Sequence, residues 1–231
     1  ATRSYEDLAA ENEQLKQQVN ELNQQLVEFY QYKQENAQLK NYLGLKENNP
    51  DYQFVSASVI NRDPNNLYYT FTLDQGSNAG VKVNDPVITD QGVVGWVSQV
   101  SAMYCEVTTI LSQDTNLSAT DKVNRESGTI SSNAQLSDQG LIKLGLLEAG
   151  TTVQEGDIIV TSGIGGKFPK DLLIGKAVEV KPEENDVSLY ATVEPFVDIK
   201  TVRDVIIITS FNGQGEVADN TDTNNASSNG G

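Results

Sequence analysis

Leu8, Leu15, Leu22 and Phe29 recur every seven residues in an otherwise polar N-terminal stretch, and Val19 and Leu26 each follow one of them by four. That spacing lays a narrow apolar seam along a long helix, and a seam of this kind needs another helix to cover it. Residues 4–46 are therefore predicted as a coiled-coil helix. With Leu8 and Leu15 at heptad position d, Tyr5, Asn12, Val19 and Leu26 take position a. An Asn at a costs stability but favours a parallel dimer in one register. The predicted dimer seam is Leu8, Asn12, Leu15, Val19, Leu22, Leu26 and Phe29, with Glu11 and Lys16 spaced for an interchain ion pair. From Leu22 through Leu26 and Phe29 to Tyr32 the steps become four, three, three. This phase slip overwinds the coil locally. Tight pairing is expected from Leu8 to Leu26, with the aromatic half beyond it packing partly on the first β domain. Gly44, then Asn48-Asn49-Pro50, read as the helix stop.

Charge and composition exclude several functions. Acidic residues number 32 against 16 basic ones, for a net charge of -16. No basic stripe interrupts this, which argues against nucleic-acid binding and against attraction to an anionic membrane surface. The chain has no histidine. That removes the commonest general base, the Ser-His and Cys-His pairs, and zinc sites built on His. The lone Cys105 sits in an apolar run and reads as a small buried residue. No run of 18 apolar residues exists, so no segment here is expected to span a membrane. The chain opens at Ala1 rather than Met, and a processed or truncated N-terminus is the expectation.

From Tyr52 the apolar period switches to two. Short strands are predicted at 54–60, 68–73, 86–89, 93–99, 106–111, 117–122, 128–132, 141–147, 157–161, 174–180, 188–195 and 205–211. Many short strands with Gly-rich turns and no convincing helix among them read as barrels or sandwiches. An internal echo supports two similar β domains. Asp85-Pro86-Val87-Ile88-Thr89 is followed by Gly92 and then Val94-Gly95; Asp157-Ile158-Ile159-Val160-Thr161 is followed by Gly163 and then Ile174-Gly175. The tail, 212–231, is Asn, Ser, Gly, Asp and Thr without apolar periodicity, and disorder is expected there.

No motif reaches a catalytic, cofactor or metal site. Gly163-Ile164-Gly165-Gly166-Lys167 lacks the Ser or Thr that a phosphate-binding loop carries after its Lys, because Phe168 stands there. Asp219, Asp222 and Asn224 lack the Gly of a calcium loop.

Three blocks carry a resemblance. They are Gly80-Val81-Lys82-Val83-Asn84-Asp85-Pro86-Val87-Ile88-Thr89-Asp90-Gln91-Gly92-Val93-Val94-Gly95, Val160-Thr161-Ser162-Gly163-Ile164-Gly165-Gly166-Lys167-Phe168-Pro169-Lys170, and Val59-Ile60-Asn61-Arg62-Asp63-Pro64-Asn65-Asn66-Leu67-Tyr68. Together they resemble the rod shape-determining protein MreC family. The family-motif loop residues are Asp85, Gly92, Gly95, Gly163, Gly165, Gly166, Phe168 and Pro169.

The resemblance implies a mainly β protein: two small six-stranded β-barrels outside the cell, preceded by a coiled coil and, upstream of this chain, a transmembrane anchor. It implies a non-enzymatic scaffold of cell elongation that self-associates and links an MreD-type membrane protein and penicillin-binding proteins to peptidoglycan synthesis. The strand count points to a nested arrangement, with 51–90 plus 170–211 forming the first barrel and 91–169 the second. A sequential split near Asp114 is the alternative. A periplasmic or extracellular adaptor of an export system also combines coil and small β domains, but usually with a helical hairpin inserted in the β region.

Overall fold

The computed structural model describes residues 4–63, 69–183 and 187–215. The chain divides into two compact units, Ala1–Pro50 and Asp51–Gly231. Most of the expected disordered tail lies outside the described residues, as do Asp219, Asp222 and Asn224 and the end of the third sequence block.

The first unit is one helix, α1 (Tyr5–Asn48), of 44 residues, about 66 Å at 1.5 Å per residue. Its seam residues Leu8, Leu15, Val19, Leu22, Leu26 and Phe29 are between 49% and 62% exposed, and Asn12 is exposed beside them. No second helix among the described residues of this unit covers them. Lys16 pairs within the chain with Glu13, Nζ to Oε1 at 3.0 Å. Gly44 does not stop the helix; it lies inside α1. A lone Gly costs an exposed helix only about 1 kcal/mol. Pro50, the other part of the expected stop, ends it, because the residue before a proline is pushed out of the helical region.

The second unit is built from twelve strands. They are β1 (Gln53–Arg62), β2 (Thr70–Leu73), β3 (Pro86–Ile88), β4 (Val93–Val100), β5 (Cys105–Thr109) and β6 (Leu117–Asp121). Then follow β7 (Ser127–Ser131), β8 (Ile142–Leu147), β9 (Ile158–Thr161), β10 (Leu173–Pro182), β11 (Leu189–Pro195) and β12 (Asp204–Ser210). Two short helical pieces escaped the sequence reading: a 3-10 turn at Ser77–Ala79 and α2 (Ala134–Asp138). The N-cap Asn133 accepts from the Leu136 amide at 2.9 Å, the local chemistry that starts so short a helix.

The strands close into two six-stranded barrels, ordered β1-β12-β3-β4-β5-β2 and β10-β11-β8-β7-β6-β9. All pairings are antiparallel. Closure removes the free edges that a short-stranded sheet would otherwise expose. Each barrel is filled by its own apolar side chains: Phe71, Leu73, Val97, Val107 and Ile207 are buried in the first, and Ile130, Ile142, Leu144, Ile159 and Val193 in the second.

This division differs from the nested arrangement expected from strand counting. β4 and β5 close the first barrel and β10 and β11 the second, while only β12 returns. The reason is local pairing. β3, β4 and β5 are joined by short turns, and consecutive strands so joined pair with each other; the nested boundaries would have split the β3–β4 hairpin. The chain crosses between barrels at 110–116, close to Asp114, and again at 196–203.

Candidate functional site

The repeated sequence unit is also a repeated piece of geometry. Asp85 Oδ2 accepts from the Lys82 amide at 2.7 Å, and Asp157 Oδ2 accepts from the Gln154 amide at 2.8 Å. In each turn the residue before the Asp has a positive φ, 73° at Asn84 and 99° at Gly156. Its amide donates to the partner strand, Asn84 to Val97 O and Gly156 to Ala177 O, both at 2.8 Å. An Asp that caps its own turn sets the entry of the next strand, so both carboxylates aim β3 and β9 at their partners.

Gly95 and Gly175 are the matched glycines of the next strands. A Cβ on Gly95 would lie 2.0 Å from Thr108 O, and one on Gly175 would lie 2.2 Å from Glu194 O. Only a residue without a side chain lets these strands approach so closely.

After the repeated unit the two barrels diverge, and the divergence joins them. In the first barrel a short turn, 89–92, returns the chain, with Thr89 N donating to Gly92 O at 2.8 Å. In the second, the equivalent loop is the long stretch 161–172. Thr161 staples its base: its hydroxyl donates to Pro169 O at 2.5 Å and accepts from the Leu172 amide at 2.9 Å. Phe168 is 2% exposed and anchors the loop. Gly163, Gly165 and Gly166 turn it through positive φ values.

The loop tip reaches the first barrel. Lys167 Nζ stands 3.8 Å from the centroid of Trp96 on β4, a cation held over an aromatic face. Burial lowers the Lys167 pKa. Gly215, just past β12, donates to Gly166 O at 3.0 Å, and its neighbour Gln214 donates to Asp85 Oδ1 at 3.2 Å. Burial pushes the Asp85 carboxyl up, against the pull of the Lys82 amide, the Gln214 amide and the Lys82 charge. On the short turn, a Cβ at Gly92 would lie 2.5 Å from Leu173 O. Asp85, Gly92 and Gly166 therefore lie at the joint where the barrels meet; Gly163, Gly165, Phe168 and Pro169 shape the loop that reaches there, and Gly95 shapes β4 behind it.

Sequence reasoning missed the residues that tie the crossings. Arg62, at the end of β1, donates to Ile199 O at 2.9 Å and to Val202 O, holding the second crossing. Ser137 on α2 donates to Leu111 O at 2.6 Å, holding the first. Arg62 stood in the third sequence block; Ser137 carried no signal, because its role depends on α2 folding against a distant segment.

The contacts of the joint are positional ones: a capping carboxylate, close backbone approaches and a cation over an aromatic ring. Among the described residues no group of three metal-binding side chains forms. Cys105 is buried, and burial pushes its thiol up to about 11, far from a reactive thiolate. A groove of about 680 Å³ runs beside α2, lined in part by Leu136, Leu146 and Tyr190. Its cations are matched by carboxylates, Lys143 with Glu183 at 2.5 Å and Lys181 with Glu179 at 2.7 Å. Leu146 holds a φ of 62° and is 70% exposed.

Residues 59–209 match the family model described as rod shape-determining protein MreC, barrel core. A cell shape-determining protein MreC of Listeria monocytogenes is 32% identical over 212 residues, covering 91% of this chain and 72% of the relative. The solved MreC structure from Listeria monocytogenes superposes with a TM-score of 0.66 at 29% identity, covering 90% of this chain and 100% of the other. A structure of a complex between the penicillin-binding protein PBP2 and MreC from Helicobacter pylori shares the fold, with a TM-score of 0.55 at 12% identity over 69% of this chain and 99% of the other. The two closed barrels, the repeated turns and these matches lead to one conclusion: the chain belongs to the rod shape-determining protein MreC family.

Proposed function

We propose that this chain is a non-catalytic cell-shape scaffold that organises peptidoglycan synthesis enzymes at the outer face of the membrane. In this reading the barrels bind partners and the helix drives self-association into a homodimer or higher assembly. The observation that carries the reading is the match of residues 59–209 to the MreC barrel core. The shared fold with an MreC chain solved in complex with PBP2 supports penicillin-binding proteins as partners. An MreD-type membrane protein is the further proposed partner. The proposed location is extracytoplasmic, with anchorage by an N-terminal transmembrane helix. No helix among the described residues is long and apolar enough to cross a membrane, so that anchor would lie outside α1.

The export-adaptor reading is less well supported. It calls for a helical hairpin inside the β region, and the α-helix found there among the described residues is α2, five residues long.

The test is direct binding. The chain is passed over an immobilised penicillin-binding protein of the elongation machinery from the same cell, and saturable binding is expected. No binding would remove the partner half of the reading. Release of soluble fragments from purified peptidoglycan by the chain would remove the non-catalytic half.

A further inference from the structure

The two barrels are the same object built twice. Placing β7 on β1, β8 on β2, β9 on β3, β10 on β4 and β11 on β5 reproduces every neighbour relation, provided that β6 is placed on β12. The residue pairing follows the strand order. Val87 faces Gly95 as Ile159 faces Gly175. Val97 faces Val107 as Ala177 faces Val193. Phe71 faces Val107 as Ile142 faces Val193. Leu73 faces Val59 as Leu144 faces Ile130. The circuit then closes through the odd pair: Ile206 lies between Ser56 and Ile88 as Thr120 lies between Ser127 and Val160. Two irregularities coincide as well, the register shift at Val97/Gln99 with that at Ala177/Glu179 and the one at Val87/Ile88 with that at Leu173/Gly175, whereas the shifts at Val59/Asn61 and Leu189/Ala191 have no counterpart. A one-residue slip in any pairing would turn that strand's side chains to the wrong face, so corresponding residues agreeing around the whole ring is a property of the barrel and not of one hairpin.

In chain order the first repeat is β1 to β6 and the second β7 to β12. We propose that this unit is a tandem duplication whose sixth strands are exchanged, β6 completing the second barrel and β12 the first, and that the exchange makes the two barrels one cooperative unit. Neither barrel holds six strands from its own repeat. Both crossings that carry the exchange are tied down: Ser137 holds 110–116 through Leu111 O, and Arg62 holds 196–203 through Ile199 O. Val197 and Ile199 of the second crossing are buried. A load or a partner acting on the second barrel is thereby felt in the first.

The single tryptophan of the chain, Trp96, lies in the first barrel; with Lys167→Ala in every chain compared, so that the second barrel's loop no longer holds a cation over the ring, its emission reports on the first barrel. Leu144→Ala opens a cavity in the core of the second barrel, where Leu144 is fully buried. In urea, the Trp96 emission midpoint of this variant is expected to fall by the same amount as the far-UV circular dichroism midpoint. A Trp96 midpoint unchanged from the unsubstituted chain, with a split circular dichroism transition, would overturn the coupling.

A rearranged chain then separates strand exchange from contact at the joint. It runs 1–50, 197–215, a short Gly-Ser linker, then 51–196, so that each barrel is made of six consecutive strands. The linker has little to span, because Asn212 already bonds Asp51 at 3.0 Å. In this chain Leu144→Ala is expected to leave the Trp96 midpoint in place while circular dichroism records earlier loss of the second barrel. If Trp96 still follows the second barrel, the coupling runs through the joint and the role given to exchange is wrong. If the rearranged chain shows no cooperative Trp96 transition, the equivalence of β6 and β12 is wrong.

Discussion

At the scale of single residues, the family-motif glycines serve by two different mechanisms. Gly95 is needed because a Cβ would strike Thr108 O at 2.0 Å. Gly165 has open space around its missing Cβ but a φ of +82°. Gly95→Ala is therefore expected to cost about 3 kcal/mol of unfolding free energy, the upper range for forced overpacking. Gly165→Ala should cost about 1 kcal/mol, from backbone conformation alone. Urea titration of the two variants checks the order. Asp85 gives a pH prediction. Its folded pKa is raised above 3.8, first by burial. The native state then holds the proton longer than the unfolded chain, so Asp85 contributes less stability as pH rises from 3.8 through its raised value. Asp85→Asn removes this titration. Relative to the unsubstituted protein, the variant should gain stability over that rise, as read by thermal unfolding at a series of pH values.

At the scale of elements, α1 is 44 residues of helix whose apolar positions are half exposed. A helix stripe of this width is stabilised by a partner, not by its own propensity. The phase slip between Leu26 and Tyr32 places the regular seam in the N-terminal half. Leu15→Asp with Leu22→Asp puts two like charges per chain into that seam. Light scattering should then return the mass of a monomer, with the β signal of the barrels retained; an assembly of unchanged mass would place self-association elsewhere. The β3–β4 and β9–β10 hairpins make the complementary point. They share a turn, a bulge and a glycine, yet one returns through 89–92 and the other through 161–172. The short version shows that closing a barrel does not need the long loop.

At the scale of the whole β unit, the long loop carries a contact from the second barrel to Trp96 on the first. Replacing 162–172 by the Asp-Gln-Gly of 90–92 should leave the second barrel closed while removing Lys167 from Trp96. The expected outcome is a red shift of Trp96 emission as its ring meets water, with a larger radius of gyration in small-angle scattering. An unchanged emission maximum would mean that the ring is covered by the barrels themselves. Lys167→Ala is the milder version, expected to cost about 1 kcal/mol through loss of the cation over the ring.

Much of this protein is local, and the local part was legible. The heptads of residues 4–46, the period-two strands and the Asp-to-Thr echo depend on neighbours within a few residues, so periodicity and turn chemistry carry them. Their bounds in the structure differ from the expected ones by a residue or two. Of the two features of the expected helix stop, Asn48-Asn49-Pro50 holds and Gly44 does not, because a helix tolerates a lone glycine but not the residue before a proline. Barrel membership was not legible. Which strand lies beside β1 is decided by closure of a cylinder, a long-range condition that brings Ser56 against Ile206 across most of the chain. The joint follows the same rule. The sequence by itself determined that Gly163 to Pro169 would be a glycine-rich connection; only the folded molecule could put its lysine on Trp96, because that contact exists between surfaces that the chain builds separately.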